Sequence, residues 1–184
     1  IFNQAGTLVR WFRDTFAAAE KETAGGAIYR ILDDEMPDDP TRLLALPYFE
    51  MTGPPGFISD ASGVIAGLKT GTTRGEIFKC LLEGITFYFV DSLADLRALG
   101  VDASSFTATG GGARSDKWLQ IMADIFGVPF SRPRITEAGI IGATILAGLG
   151  TGVFATAAEG VARFVGHERL FEPDARRHEI YGGR

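Results

Sequence analysis

Apolar side chains recur every three or four residues along several stretches of the chain, and glycine, proline or clustered charges separate these stretches. Because this spacing collects apolar side chains on one face of a helix, it predicts amphipathic helices. The longest of them is predicted to end before Gly100, since glycine favours helix C-termini. The predicted helices cover residues 6–20, 27–35, 73–99, 118–126, 137–149 and 159–165.

Short apolar runs bounded by turn-forming residues lie between these helices and are typical of strands. They cover residues 44–49, 62–68, 106–109 and 128–130, with a Gly/Pro loop at 52–56 between the first two. No element is predicted in the polar tail after residue 165. In the second half of the chain strands alternate with helices, and this order predicts an α/β fold.

The composition is that of a globular protein with a substantial core, since 46% of the 184 residues are hydrophobic and 22% are charged. The length suits one domain, or one domain with an additional subdomain. A net charge of -5 without a Lys/Arg cluster argues against nucleic-acid binding. Glycines interrupt the apolar stretch at residues 140–149, so we expect no membrane span.

Cys80 is the single cysteine, so no disulfide can form within the chain. This cysteine usage fits a reducing compartment, and we expect a cytoplasmic protein. The first residue is Ile1, and no basic segment precedes an apolar run near it. We therefore expect the chain to be part of a longer protein.

The run Gly110, Gly111 and Gly112 follows a predicted strand and precedes a predicted helix. Residues without Cβ atoms can adopt positive φ angles and let an anion approach the main chain. Ser115 or Asp116 is predicted to cap the helix, whose free N–H groups and dipole favour negative charge. The run therefore indicates a phosphate site. A turn that only links the strand to the helix is the alternative.

The remaining polar groups favour structural roles. The acidic cluster at residues 33–39 lacks the ligand spacing of a calcium loop, so we interpret it as a solvated loop. His167 and His178 have no metal-ligand partner at i+4 and are expected to be solvated or bonded locally. Glu83 lies among apolar residues of the longest helix, and we expect it to bond locally rather than act as a base.

Four segments, in this order, resemble the carboxy-terminal domain of the FGGY family of carbohydrate kinases. They are residues 3–14, residues 63–84, the glycine run through Ser115, and residues 139–144. Cys80 stands where family members usually have Ala or Ser. The resemblance implies an actin-like ATPase fold, in which a ribonuclease H-like domain has a mixed sheet flanked by helices.

The resemblance also implies ATP-dependent phosphorylation of a hydroxyl group on a sugar, ketose or polyol, with ATP and Mg²⁺ as cofactors. Residues 1–184 would form the nucleotide-binding domain, and an amino-terminal domain absent from this chain would bind the sugar. Family members carry their catalytic aspartate in the absent part, so no catalytic residue is assigned here and the chain alone is expected to be inactive. A non-catalytic actin-like module that binds nucleotide is the alternative.

Six residues are assigned to the nucleotide by resemblance, and none to a metal: Gly6, Arg10, Gly110, Gly111, Gly112 and Ser115. Gly6 and Arg10 would lie near the phosphates, and Gly111 against the adenosine and α-phosphate. Ser115 would lie near the adenine or the ribose. The surface that faces the absent domain could also support a homodimer.

Overall fold

The computed structural model describes residues 5–51, 53 and 57–184, and its helices follow the apolar periodicity of the sequence. In chain order, the α-helices of these residues are α1 (Ala5–Phe16), α2 (Ala18–Ala24), α3 (Ile28–Glu35), α4 (Arg74–Ala98), α5 (Asp116–Phe126), α6 (Ala138–Gly150), α7 (Ala157–Phe164) and α8 (Ala175–Gly182). Among these described helices, none has the length and apolar character needed to cross a membrane.

Two small sheets accompany the helices. Strands β1 (Leu44–Leu46) and β2 (Val64–Ala66) form an antiparallel pair. The second sheet has the order β3-β4-β5, from β3 (Phe106–Thr107), β4 (Phe130–Pro133) and β5 (His167–Phe171). In it β3 runs parallel to β4, and β5 runs antiparallel to β4. The sheet is therefore mixed, as predicted for an α/β fold of this kind.

Helix α4 lies at the centre of the packing. It begins with a capping box, in which the Thr73 side chain accepts from the Glu76 N–H and the Glu76 carboxylate accepts from the Thr73 N–H. It approaches β1 closely, since a Cβ at Gly84 would lie 2.5 Å from the carbonyl oxygen of Ala45. Side chains of α1, α3 and α5 pack on α4 to form the main core. This core includes Leu8, Phe12, Ile28, Leu32, Phe78, Leu81, Leu82, Ile85, Trp118 and Ile121.

Helix α5 separates the main core from the mixed sheet. Leu119 and Ala123 of α5 pack against Phe130 of β4 and Phe171 of β5, forming a second apolar cluster. The helix ends at Gly127, whose left-handed backbone (φ 68°) suits a residue without a Cβ. Because both faces of α5 are buried, its N-terminus and the glycine run before it have a fixed position.

The predicted helices are confirmed, with most ends within two residues of the expected position. Residues 6–20 are the exception, because the helix ends at Phe16 and α2 begins at Ala18. The first three predicted strands are present but shorter. The fourth is shifted, because β4 begins at Phe130, where the predicted strand ends. Residues 3 and 4 and the predicted loop at 52–56, apart from Gly53, lie outside the described residues.

The prediction of a featureless polar tail after residue 165 is wrong. The tail contains β5 and α8, and neither shows a regular apolar pattern. In β5 only Phe171 is buried, and in α8 only Tyr181 is buried. The tail is held instead by pairing of β5 with β4 and by side-chain bonds from α8, where Asp174 caps the helix by accepting from the Arg177 N–H.

Candidate functional site

A cavity of about 1330 Å³ opens between α1, α3, α4, α5 and the glycine turn. One wall is apolar and includes Phe89, Leu93 and Leu96 of α4. The opposite wall is polar and is formed by side chains of α1 and α3 together with residues 111–117. An amphipathic ligand with a flat apolar part and an anionic part matches these two walls.

The three glycines of the turn have different structural roles. Gly110 has a left-handed backbone (φ 78°), and its N–H donates to the carbonyl of Thr136 at 2.7 Å. A Cβ at Gly112 would lie 2.8 Å from the Trp118 ring, so this glycine is required by packing. A Cβ at Gly111 would meet nothing within 4 Å, and its φ is not positive. Of the three glycines, Gly110 is therefore the one that uses the positive φ expected to be available to the run.

The main chain of this turn offers donors to the cavity. Residues Gly111–Arg114 form a single 3-10 turn in which the Ala113 N–H donates to Gly110. Within the part of the chain that the structure describes, the N–H groups of Gly111 and Gly112 donate no backbone hydrogen bond. Successive free N–H groups of this kind form a concave anion site. The open space beside Gly111 leaves room for the anion.

Ser115 follows the turn and begins α5. Its hydroxyl oxygen accepts from the Trp118 N–H at 3.0 Å, so Ser115, rather than Asp116, is the N-cap. The carboxylate of Asp116 instead pairs with Arg132 and Arg169. The Ser115 hydroxyl also lies near the side chain of Asp33, which comes from α3 and lines the same cavity.

Asp33 is a half-buried carboxylate on the cavity wall. Burial raises the pKa of Asp33 to about 6, and the charges of Asp34 and Asp116 act in the same direction. The nearby Ser115 hydroxyl and the charge of Lys117 oppose this rise in the pKa of Asp33. Asp33 therefore stays mostly ionised at neutral pH, although it loses much of its hydration.

Gly6 and Arg10 lie four residues apart on α1, so both face the same side of the helix and both line the cavity. A Cβ at Gly6 would meet nothing within 4 Å. Arg10 is exposed, and it forms no ion pair or side-chain hydrogen bond with any other residue that the structure describes. Arg13, one turn further along α1, is paired with Asp14. Arg10 is thus a free cation at the rim of the cavity.

Comparisons with known proteins fit this geometry. The sequence profile of the FGGY family of carbohydrate kinases, C-terminal domain, matches residues 2–151. The chain belongs to this family. It is 32% identical to the xylulose kinase of Staphylococcus epidermidis over 177 residues, covering 96% of this chain and 35% of that protein. It is 36% identical to the glycerol kinase of Stenotrophomonas maltophilia over 183 residues, covering 97% of this chain and 36% of that protein.

A solved structure gives the same result for the fold. The crystal structure of xylulose kinase from Rhodospirillum rubrum superposes with a TM-score of 0.76 at 29% identity, covering 97% of this chain and 35% of that chain. The FGGY kinases share the actin-like ATPase fold, so the predicted fold class is confirmed. The chain spans about a third of the length of these relatives.

Five of the six residues assigned by resemblance to this family line this same cavity: Gly6, Arg10, Gly111, Gly112 and Ser115. Gly110 lies behind the turn, where it sets the backbone conformation, and does not line the cavity. The sequence reasoning missed Asp33, because its role depends on contact with Ser115, 82 positions along the chain. Its position beside buried Leu32 was the one available signal.

Three other expectations need correction. The acidic cluster is not a single loop, because residues 33–35 belong to α3, and Glu35 pairs with Arg74. Glu83 does not bond locally, since it accepts from Thr41, Tyr181 and Arg184. His178 donates from Nδ1 to the carbonyl of Asp124 at 2.8 Å, so its partner is also distant in sequence. No group of three acidic, His or Cys residues that could hold a metal occurs among the described residues.

Proposed function

We propose that the protein containing this chain transfers the γ-phosphoryl group of ATP to a hydroxyl of a sugar, ketose or polyol, and that residues 1–184 form its nucleotide-binding domain. One observation carries the proposal: a single cavity joins a free arginine, an open glycine turn and an apolar wall. Membership of the FGGY family and the relatives named xylulose kinase and glycerol kinase support it.

The cavity fits a nucleoside triphosphate. The free N–H groups of Gly111 and Gly112 and the guanidinium of Arg10 would hold the phosphates, since both are donors suited to anions. The apolar wall formed by Leu93 and Leu96 of α4 suits the flat face of a base. Mg²⁺ would enter with the phosphates, because it is usually bound through substrate oxygens and few protein carboxylates. It would neutralise charge on the phosphates.

Catalysis requires more than this domain. The chain spans about a third of the length of its relatives. By the family resemblance, the catalytic aspartate and the sugar site would belong to a part of the protein outside this chain. The chain by itself is therefore expected to transfer no phosphate to pentoses or polyols, whereas the full-length protein is expected to do so. Full-length protein that binds ATP and phosphorylates no sugar or polyol would favour the non-catalytic module instead.

The decisive experiment concerns Gly111 in the full-length protein. The Gly111→Val substitution would place a branched side chain in the space assigned to the nucleotide, without strain from a positive φ. We expect the Kd for ATP, measured by calorimetric titration, to rise at least ~10-fold, or about 1.4 kcal/mol. Circular dichroism and sugar binding should stay close to wild type.

Gly139→Val is the matched control, because a Cβ at Gly139 also meets nothing within 4 Å and this residue does not line the cavity. It should leave the Kd for ATP unchanged. An unchanged Kd for Gly111→Val would show that the turn only connects β3 to α5.

A further inference from the structure

The hydroxyl oxygen of Ser115 is already used within the protein, because it accepts from the Trp118 N–H at 3.0 Å and caps α5. The carboxylate of Asp33 lies near this hydroxyl, and the interaction between them favours the ionised form of Asp33. Ser115 therefore already has a role within the fold, although it also lines the cavity.

Asp33 is in the opposite situation. Its carboxylate has about four lone-pair sites, and the Ser115 hydroxyl is the side-chain donor that lies near it among the described residues. Asp33 is half buried and lines the same cavity as the glycine turn. A carboxylate that has lost hydration and has unused acceptor sites favours a ligand that brings hydrogen-bond donors.

The end of α3 that carries Asp33 is held firmly. The ammonium group of Lys79 donates to the carbonyl oxygens of Pro37, Asp38 and Asp39 at 2.8 to 2.9 Å. Lys117 of α5 donates to the carbonyl of Met36 at 3.0 Å. Asp33 is thus fixed in position relative to the N-terminus of α5, as a group that recognises a ligand must be.

We infer that Asp33, and not Ser115, binds the ribose of the nucleotide, with its carboxylate accepting hydrogen bonds from the 2′- and 3′-hydroxyl groups. The inference rests on the proposed nucleotide binding. The ribose hydroxyls are the donors of ATP nearest to the phosphates, and Asp33 lies next to the turn assigned to those phosphates. The amino group of adenine lies at the far end of the nucleotide. Carboxylates recognise ribose hydroxyls in the same way at other nucleotide sites.

The test uses full-length protein and three probes: ATP, 2′-deoxy-ATP and 3′-deoxy-ATP. We expect wild-type protein to bind each deoxy analogue about 10-fold more weakly than ATP, since a hydrogen bond to a charged acceptor is lost. Asp33→Asn should bind ATP about 10-fold more weakly and should no longer distinguish ATP from the analogues. Glu22→Gln, which removes a carboxylate charge from an exposed position on α2 outside the cavity, is the matched control and should behave as wild type.

The outcomes separate this inference from the proposed function. Wild-type protein that binds ATP and both deoxy analogues equally overturns the inference without use of any variant. Asp33→Asn that weakens all three nucleotides equally, or that changes the preference for ATP over ITP, also overturns it. In each of these cases ATP binding and the effect of Gly111→Val can still hold. Failure of wild-type protein to bind ATP would instead contradict the proposed function itself.

Discussion

Two carboxylates on helices of the same core differ in how many of their hydrogen-bond acceptor sites the protein itself fills. Glu83 of α4 is 2% exposed and accepts from the Thr41 N–H at 3.1 Å, the Thr41 hydroxyl at 2.7 Å, the Tyr181 hydroxyl at 2.8 Å and the Arg184 guanidinium at 3.1 Å. Asp33 of α3 is half buried, and the nearby Ser115 hydroxyl is its side-chain donor among the described residues. A carboxylate whose lone pairs are filled by the protein stabilises the fold, whereas one with unused acceptor sites beside a cavity is available to a ligand.

A second buried carboxylate, like Glu83, helps to hold the C-terminal helix. Asp124 of α5 is also 2% exposed, and it accepts from Gln120, from the Asp174 N–H at 2.8 Å and from Arg177. Together Glu83 and Asp124 fasten α8 to α4 and α5. Burying two charges is costly unless each is fully hydrogen-bonded, and the C-terminal segment supplies the missing donors. The C-terminal segment is therefore an integral part of the fold around the cavity.

The largest effect is expected for Glu83→Ala. The substitution leaves the buried Thr41 N–H and Tyr181 hydroxyl without their acceptor and removes the ion-pair partner of Arg184, so unfolding should become about 3–5 kcal/mol easier. Chemical denaturation of the full-length protein measures this loss. Glu22→Ala is the control, because Glu22 is exposed on α2 and should change stability by less than about 0.5 kcal/mol. A loss below about 1 kcal/mol for Glu83→Ala would show that the hydrogen bonds to Glu83 do not hold the C-terminal segment in place.

Tyr181→Phe should have the next largest effect. It keeps the ring that packs edge-on against Phe87, at a centroid distance of 5.9 Å, and removes only the donor to Glu83. We expect a loss of about 2 kcal/mol, since the bond is to a charged acceptor. In a Glu83→Ala background the same substitution should cost much less, because the two residues are coupled. Additive losses would mean that the Tyr181 hydroxyl stabilises the protein through a contact other than its bond to Glu83.

The fold was more predictable than the residues that complete it. The helices of the core could be predicted because α4 and α5 repeat apolar residues every turn, and the cavity could be anticipated from Gly110 to Ser115. The partners of Glu83 lie 42 to 101 residues away in the chain, and local periodicity holds no information on such pairs. For the same reason α8 was missed, since its binding depends on Tyr181, Arg177 and Arg184 rather than on an apolar face. The charges around Asp33 predict a solvated loop, because the sequence does not show that Ser115 lies near Asp33 in space.

Asp33→Asn should have a smaller effect on stability, and of the opposite sign. The pKa of Asp33 is raised to about 6, so its ionisation above that pH opposes folding. The wild type therefore gains stability from this group below about pH 4 and loses it as the pH rises through 6. We expect Asp33→Asn to be about 1 kcal/mol more stable than wild type at pH 7.5, with allowance for partial exposure.

The gain for Asp33→Asn should disappear near pH 4, where both side chains are neutral. Thermal unfolding of the two proteins between pH 4 and 8 measures the difference. Higher stability together with weaker ATP binding would mark Asp33 as a group retained for function. A variant that is less stable than wild type at pH 7.5 would place Asp33 with Glu83, among the carboxylates that hold the fold.

Arg10→Ala should have the smallest effect on stability and still affect the ligand. Arg10 is exposed and has no partner among the described residues, so its loss should change the free energy of unfolding by less than about 0.5 kcal/mol. Loss of a charge-assisted phosphate contact should raise the KM for ATP several-fold and leave the sugar KM nearly unchanged. The effect should shrink at high ionic strength, because the guanidinium is exposed to solvent. Arg163→Ala removes the same charge from an exposed position on α7 and should change neither KM. If Arg10→Ala and Arg163→Ala behave alike, Arg10 is an ordinary surface residue, and the phosphates depend on the Gly111 turn alone.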